Sequence, residues 1–172
     1  ALIDGEISNE KNIVSATFKD QESAYLAGLA AAYSTKKNHV GFIGGMEGPV
    51  IQRFQSGFEA GVKAGAKNLG KKISFDAQYA ASYDAPDRGK AIAASMYKEG
   101  ADIIYQAAGS TGAGVFQEAK ARNENDKTQK VWVIGVDRDQ TDEGDYHMTE
   151  DKIGNFTLTS TKKNVGAAVR KI

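Results

Sequence analysis

Short apolar runs, each followed by a glycine-bearing turn and an amphipathic stretch, recur along this chain about every 30 residues, the length of a strand–helix–strand unit. That rhythm leaves few folds open. A strand that feeds a helix must return parallel to itself, so the repeat specifies a mainly parallel α/β sheet with helices on its faces. The runs are 13–18 (IVSATF), 39–43 (HVGFI), 73–79, 102–106 (DIIYQ), 131–136 (VWVIGV) and 155–160 (NFTLTS). The fifth is apolar throughout, as a strand buried on both faces should be. Helices are expected from a cap at Asp20 to about residue 34, and from Gly48-Pro49 to a stop at Gly65. A third is expected after a cap at Asp84 or Asp87, a fourth over 115–122, and a last one starts near 165. The polar segment 67–72 (KNLGKK) is the weakest joint and is read as a lobe boundary.

Composition removes several function classes. The 172 residues include no cysteine, which excludes disulfides, thiolate zinc sites and a cysteine nucleophile. The two histidines, His39 and His147, form no spaced metal motif. The 22 basic and 22 acidic residues cancel, which argues against a nucleic-acid binder that relies on a bulk basic field. No apolar run reaches the roughly 18–20 residues needed to cross a bilayer.

Ligands of open α/β sheets sit beyond the carboxyl ends of the strands, so the residues there carry the information. Gly44-Gly45-Met46-Glu47-Gly48-Pro49 is a glycine turn feeding a helix. It either presents backbone N–H groups to a ligand or is a plain turn, and Met46 either packs on a planar group or joins the core. The segment from Gln106 to Gly114 is rich in small residues, among them Ala108 and Gly109. Its glycines run G-x-x-G-x-G, which is neither a dinucleotide fingerprint nor a hydrolase elbow. Gly135-Val136-Asp137-Arg138-Asp139-Gln140 follows the most apolar run and places Asp137 in the crevice. A carboxylate there suits the paired hydroxyls of a ribose or sugar; the alternative is a turn cap. Phe18, closing a strand on the crevice side, stacks on a base or packs in the core. The loop-like 65–72 segment has Lys72 where a phosphate loop needs Ser or Thr. No nucleophile, tuned base and oxyanion donor come together, so the residues read as a binder rather than an enzyme, with no cofactor and no metal.

Taken together, several segments resemble the BMP family of basic membrane lipoproteins and PnrA-type purine-nucleoside receptors. They are Gln21-Glu22-Ser23-Ala24-Tyr25-Leu26-Ala27-Gly28, Val40-Gly41-Phe42-Ile43-Gly44-Gly45, Tyr105-Gln106-Ala107-Ala108-Gly109, Trp132-Val133-Ile134-Gly135-Val136-Asp137, and Thr159-Ser160 with Lys163 and Val165. Their order and spacing match over essentially the whole chain. The resemblance implies a type I periplasmic-binding-protein-like fold with two lobes, truncated at both ends. Residues 1–68 would be part of the N-terminal lobe and 69–172 most of the C-terminal lobe. It also implies a substrate-binding lipoprotein of an ABC importer, outside the cytoplasm, held at the membrane by a lipid anchor beyond this chain. Its partners would be a purine nucleoside and an ABC permease. By the same resemblance Asp137 matches the ribose aspartate and Lys163 the lysine of an S-x-x-K-x-V segment, with Lys162 as its rival. Gln106, Ala108 and Gly109 match the crevice loop, Gly135 precedes the aspartate, and Met46 lies on the hinge-side turn. Two alternatives keep the fold: a sugar or autoinducer receptor, and a cytoplasmic sensor or regulator.

Overall fold

The computed structural model describes residues 1–172. A short parallel pair, β1 (Leu2–Ile3) and β2 (Ser15–Ala16), leads into α1 (Asp20–Ser34). Then follow β3 (His39–Gly44), α2 (Pro49–Leu69), β4 (Ser74–Tyr79), α3 (Pro86–Lys98), β5 (Ile103–Ala107), α4 (Gly112–Asn125) and β6 (Trp132–Asp137). An antiparallel hairpin, β7 (Asp145–Thr149) and β8 (Lys152–Asn155), precedes β9 (Thr157–Lys162) and a short α5 (Val165–Val169). Five strands form one parallel sheet in the order β4-β3-β5-β6-β9.

Alternation along the strands divides the core into two layers. Val40, Phe42, Ile103, Tyr105, Ile134 and Val136 face α1 and α2, where they meet Phe54, Phe58 and Val62. Ile43, Ile104 and Val133 face α3 and α4, where they meet Met96, Val115 and Phe116. The hairpin, which the apolar periodicity does not predict, closes the second layer. Tyr146 and Phe116 pack on Phe156 with ring centroids 5.9 and 6.0 Å away.

Several expectations need correction. The segment 67–72 does not separate two sheets. Strands β3 and β4, on either side of it, pair over six residues from His39↔Ser74 to Gly44↔Tyr79. The division at 68/69 therefore falls inside one βαβ unit, and its polarity is that of a solvated helix end. Helix α2 passes through Gly65 and stops at Gly70, whose left-handed backbone (φ 62°) and N–H close the last turn. Asp84 and Asp87 cap nothing; α3 begins with Pro86, and the Ala85 N–H donates to Thr111 Oγ1 at 2.9 Å. Asp102, at the start of the 102–106 run, is buried and accepts three hydrogen bonds, from Thr35 Oγ1, Lys36 N and Lys37 N. It locks the α1–β3 connection to the start of β5.

Gly65 has another use. With Gly57 and Gly61, at four-residue spacing, it forms a stripe of three glycines along α2 that lets α1 approach to backbone contact. A Cβ on Gly61 would lie 2.0 Å from the Tyr25 carbonyl oxygen. Alanine gains about 1 kcal/mol of helix propensity over glycine, whereas forcing packed helices apart costs about 1–3 kcal/mol or more. Gly61→Ala is therefore expected to lower the denaturant midpoint, while Gly166→Ala, which meets nothing within 4 Å, leaves it unchanged or raises it. Equal midpoints for the two variants would show that the helices part freely.

Candidate ligand-binding cleft

The chain leaves β3 toward one edge of the sheet and β5 toward the other, and these two strands are neighbours. At such a reversal the connections diverge and open a crevice beyond the carboxyl strand ends. A cleft of about 210 Å³ lies there, walled by Ile51 and Phe54 of α2, Tyr83 after β4, Gly109 after β5 and Asp137 at the end of β6. Asp4, just past β1, and Lys163, just past β9, complete it.

Lys163 organises the charge. Its side chain is only 7% exposed. Its Nζ lies 2.6 Å from Asp4 Oδ2, 3.2 Å from Asp20 Oδ1 and 3.7 Å from Asp137 Oδ1. The rings of Phe54 and Phe18 are 4.8 and 5.5 Å from the ammonium. The second cation, Arg53, approaches Asp20 at 3.4 Å. Three carboxylates thus face two cations. Burial pushes the carboxyls of Asp20 and Asp137 above their ordinary value; Lys163 pulls them back, and their acidic neighbours push them up again. Burial alone would lower Lys163, but its bond to Asp4 and the three negative charges raise it on balance.

The backbone is strained at this place. Asp4 and Asp137 have φ of 61° and 67°, and Ala81, before Tyr83, has 54°. Across Asp137 the Arg138 N–H donates to the Val136 carbonyl at 2.8 Å, a tight γ-turn. Residues held in this region concentrate at functional sites, where surrounding contacts hold them. The turn closes β6 at Asp137 and leaves its carboxylate 58% exposed at the cleft. Its oxygens can accept hydrogen bonds, and the negative surplus disfavours an anionic ligand.

Of the residues singled out from sequence, Asp137, Lys163 and Gly109 line the cleft, and Phe18 stands behind Lys163. Gln106 lines an adjoining pocket that shares Gly109, Val136 and Asp137 with the cleft. Ala108 is fully buried. Gly135 sits inside β6, where a Cβ would come within 2.6 Å of Ser160 Oγ. Met46 is exposed on the β3–α2 turn, outside the cleft lining, and its carbonyl faces the Tyr83 hydroxyl at 3.5 Å. Lys162 is exposed, so the lysine in the cluster is Lys163. Sequence reasoning missed Asp4, Tyr83 and Asp20. Asp20 was expected to cap α1, yet its side chain is 1% exposed and faces Lys163. The signal for it was only a carboxylate at a helix start, which a cap explains equally well.

A family model described as ABC transporter substrate-binding protein PnrA-like matches residues 1–172. The ABC transporter nucleoside-binding protein BmpA of Lactococcus lactis subsp. cremoris is 51% identical over 172 residues, covering 99% of this chain and 48% of that protein. Basic membrane protein A of Borreliella burgdorferi is 37% identical over 172 residues, covering 98% of this chain and 45% of that protein. Among solved structures, an ABC transporter solute-binding protein from Aeropyrum pernix superposes with a TM-score of 0.74 at 28% identity, covering 80% of this chain and 39% of that one. The fold is that of type I periplasmic binding proteins. This chain spans about half the length of the curated relatives it matches. It belongs to the Bmp family of PnrA-like ABC transporter substrate-binding proteins.

Proposed function

We propose that this chain supplies one wall of a nucleoside-binding cleft in a substrate-binding protein serving an ABC importer. The observation that carries the reading is Asp137: an exposed carboxylate on a strained turn, lining the cleft at the sheet's carboxyl end, beside a buried lysine. Its oxygens accept from the 2′- and 3′-hydroxyls of a ribose, and Lys163 fixes the carboxylate. Tyr83, 43% exposed at the cleft, offers a flat surface to a base. The relative named for nucleoside binding, half identical to this chain, supports the same reading.

The remaining half of such a protein would form the opposing wall and close over the ligand. Closure follows if the ligand binds the closed state more tightly than the open one, and the closed form is what a permease would recognise. On this reading the protein works outside the cytoplasm, anchored by a lipid, and binds without catalysis.

Calorimetric titration of the full-length protein with guanosine, inosine, adenosine, cytidine and ribose tests the proposal. Roughly micromolar or tighter binding of purine nucleosides, with ribose silent, is the expected result. Binding of ribose alone would move the protein to the sugar-receptor alternative, and silence across the panel would remove the nucleoside reading.

A further inference from the structure

Strand pairing between β5 and β6 ends at Tyr105↔Ile134, three residues before Asp137. Beyond that point a side chain takes over. Gln140 Oε1 accepts the Val136 N–H at 2.8 Å and, at the same oxygen, Gln106 Nε2 at 2.7 Å. The Gln140 N–H donates to Ser160 Oγ at 3.1 Å, its Nε2 donates to Glu143 Oε1 at 2.9 Å, and its carbonyl accepts from Thr157 Oγ1 at 3.2 Å. One residue therefore ties together the ends of β5, β6 and β9. Gly135 makes this possible, since a Cβ there would stand 2.9 Å from Gln140 Cβ and 3.0 Å from Oε1.

We propose that Gln140 is a positioning residue for Asp137. By holding the Val136 N–H from outside the ladder, it keeps the carbonyl–amide bond of the γ-turn closed and the carboxylate aimed into the cleft. Gln106 buttresses it from β5: this buried side chain spends its donor on Gln140, while its own Oε1 has no partner. A strained turn persists only where its surroundings over-determine it; here β9 holds one side, the Lys163 N–H donating to the Asp137 carbonyl at 2.9 Å, and the Gln140 oxygen holds the other. The binding consequence rests on the nucleoside reading above; the structural consequence does not.

Gln140→Leu removes the acceptor. In the ligand-free full-length protein, hydrogen exchange at the Val136 and Arg138 amides should quicken, while the Ile104 amide in the central strand stays protected. Affinity for whichever purine nucleoside the unaltered protein binds should fall about 10- to 100-fold, as for other partners that orient a binding group. Gln140→Glu keeps both accepted bonds but sets two carboxylates where Gln140 and Glu143 now meet. It should bind weakly, and adding Glu143→Gln, which restores a donor opposite, should recover most of the loss. Unchanged exchange at Val136 and Arg138, exchange that quickens equally at Ile104, or a double variant no better than Gln140→Glu would each overturn the proposal. If Gln140→Leu does not fold, the Glu pair decides. If the unaltered protein binds no nucleoside, the functional reading falls, and the amide exchange still decides the role of Gln140.

Discussion

Lys163→Met is expected to remove about 3–5 kcal/mol of folding stability at neutral pH, the usual consequence of deleting one partner of a buried ion cluster. Domains are held by only about 5–15 kcal/mol in all, so the variant should be largely unfolded at moderate denaturant. Methionine fills the space between Phe18 and Phe54 well enough; the damage is electrostatic. Asp20, almost without solvent contact, would keep only Arg53 at 3.4 Å, and Asp4 would lose its one bonded partner at 2.6 Å.

The pH dependence follows from the directions of the shifts. Lys163 titrates above its ordinary value of 10.5 in the folded chain, so its contribution is complete below that value and is lost as pH rises through the folded one. Asp20 and Asp137 titrate above 3.8 when folded. In the window just above 3.8 the folded chain holds more protons than the unfolded chain, so stability from these two groups rises as pH falls through it. With the lysine gone the carboxylates face each other less compensated, and protonation relieves them more. The deficit of Lys163→Met should therefore shrink on mild acidification, as read from urea midpoints at a series of pH values. A deficit below about 1 kcal/mol, the size of an exposed pair, would mean that the cluster is solvated rather than buried.

Asp137→Asn should separate binding from folding. Asparagine keeps the shape of the side chain and tolerates the left-handed backbone that Asp137 adopts at φ 67°, which alanine would not. It removes a carboxylate whose charge is disfavoured by burial and by two acidic neighbours. Thermal stability is therefore expected to hold or to rise. Binding should move the other way. Losing a charged acceptor from two ligand hydroxyls costs about 2–4 kcal/mol, or roughly 30- to 1,000-fold in affinity for a purine nucleoside. A variant that is as stable as the parent and binds as well would show that Asp137 shapes a turn and nothing more. A variant that loses both together would place it with the structural residues.

Much of the architecture was legible in the residue order. Continuous apolar runs such as HVGFI and VWVIGV report the strands because a parallel strand with helices on both faces of its sheet buries successive side chains on either side. Gly48-Pro49 reports the start of α2 because proline fits only the first turn. The crevice loops were legible too, since a parallel sheet puts every functional turn at one end. These are local rules, readable within a window of ten or fifteen residues. They explain why Asp137 and Gly109 could be named beforehand, and why Gly65 was misjudged. Whether a glycine ends a helix or admits a neighbouring one depends on what packs against it, here Ala32 of α1 with its Cβ 2.5 Å from where a Cβ on Gly65 would stand. The same limit applied to the 67–72 segment, whose polarity could mark either a lobe boundary or the exposed end of a crossover until β3 and β4 were seen to pair.

The charge centre of the cleft belongs to tertiary structure. Asp4 and Lys163 are 159 positions apart, and each taken alone is an ordinary surface residue type. Nothing in the neighbourhood of Asp20 distinguishes a cap from a buried counter-ion. Residue order determined that the chain makes a parallel sheet with a binding edge, because hydrogen bonding and the burial of alternate side chains act on near neighbours. Folding decided which charges meet at that edge: a carboxylate's partner is set by where distant strand ends converge, and electrostatic energy depends on distance and burial in space, not on position along the chain.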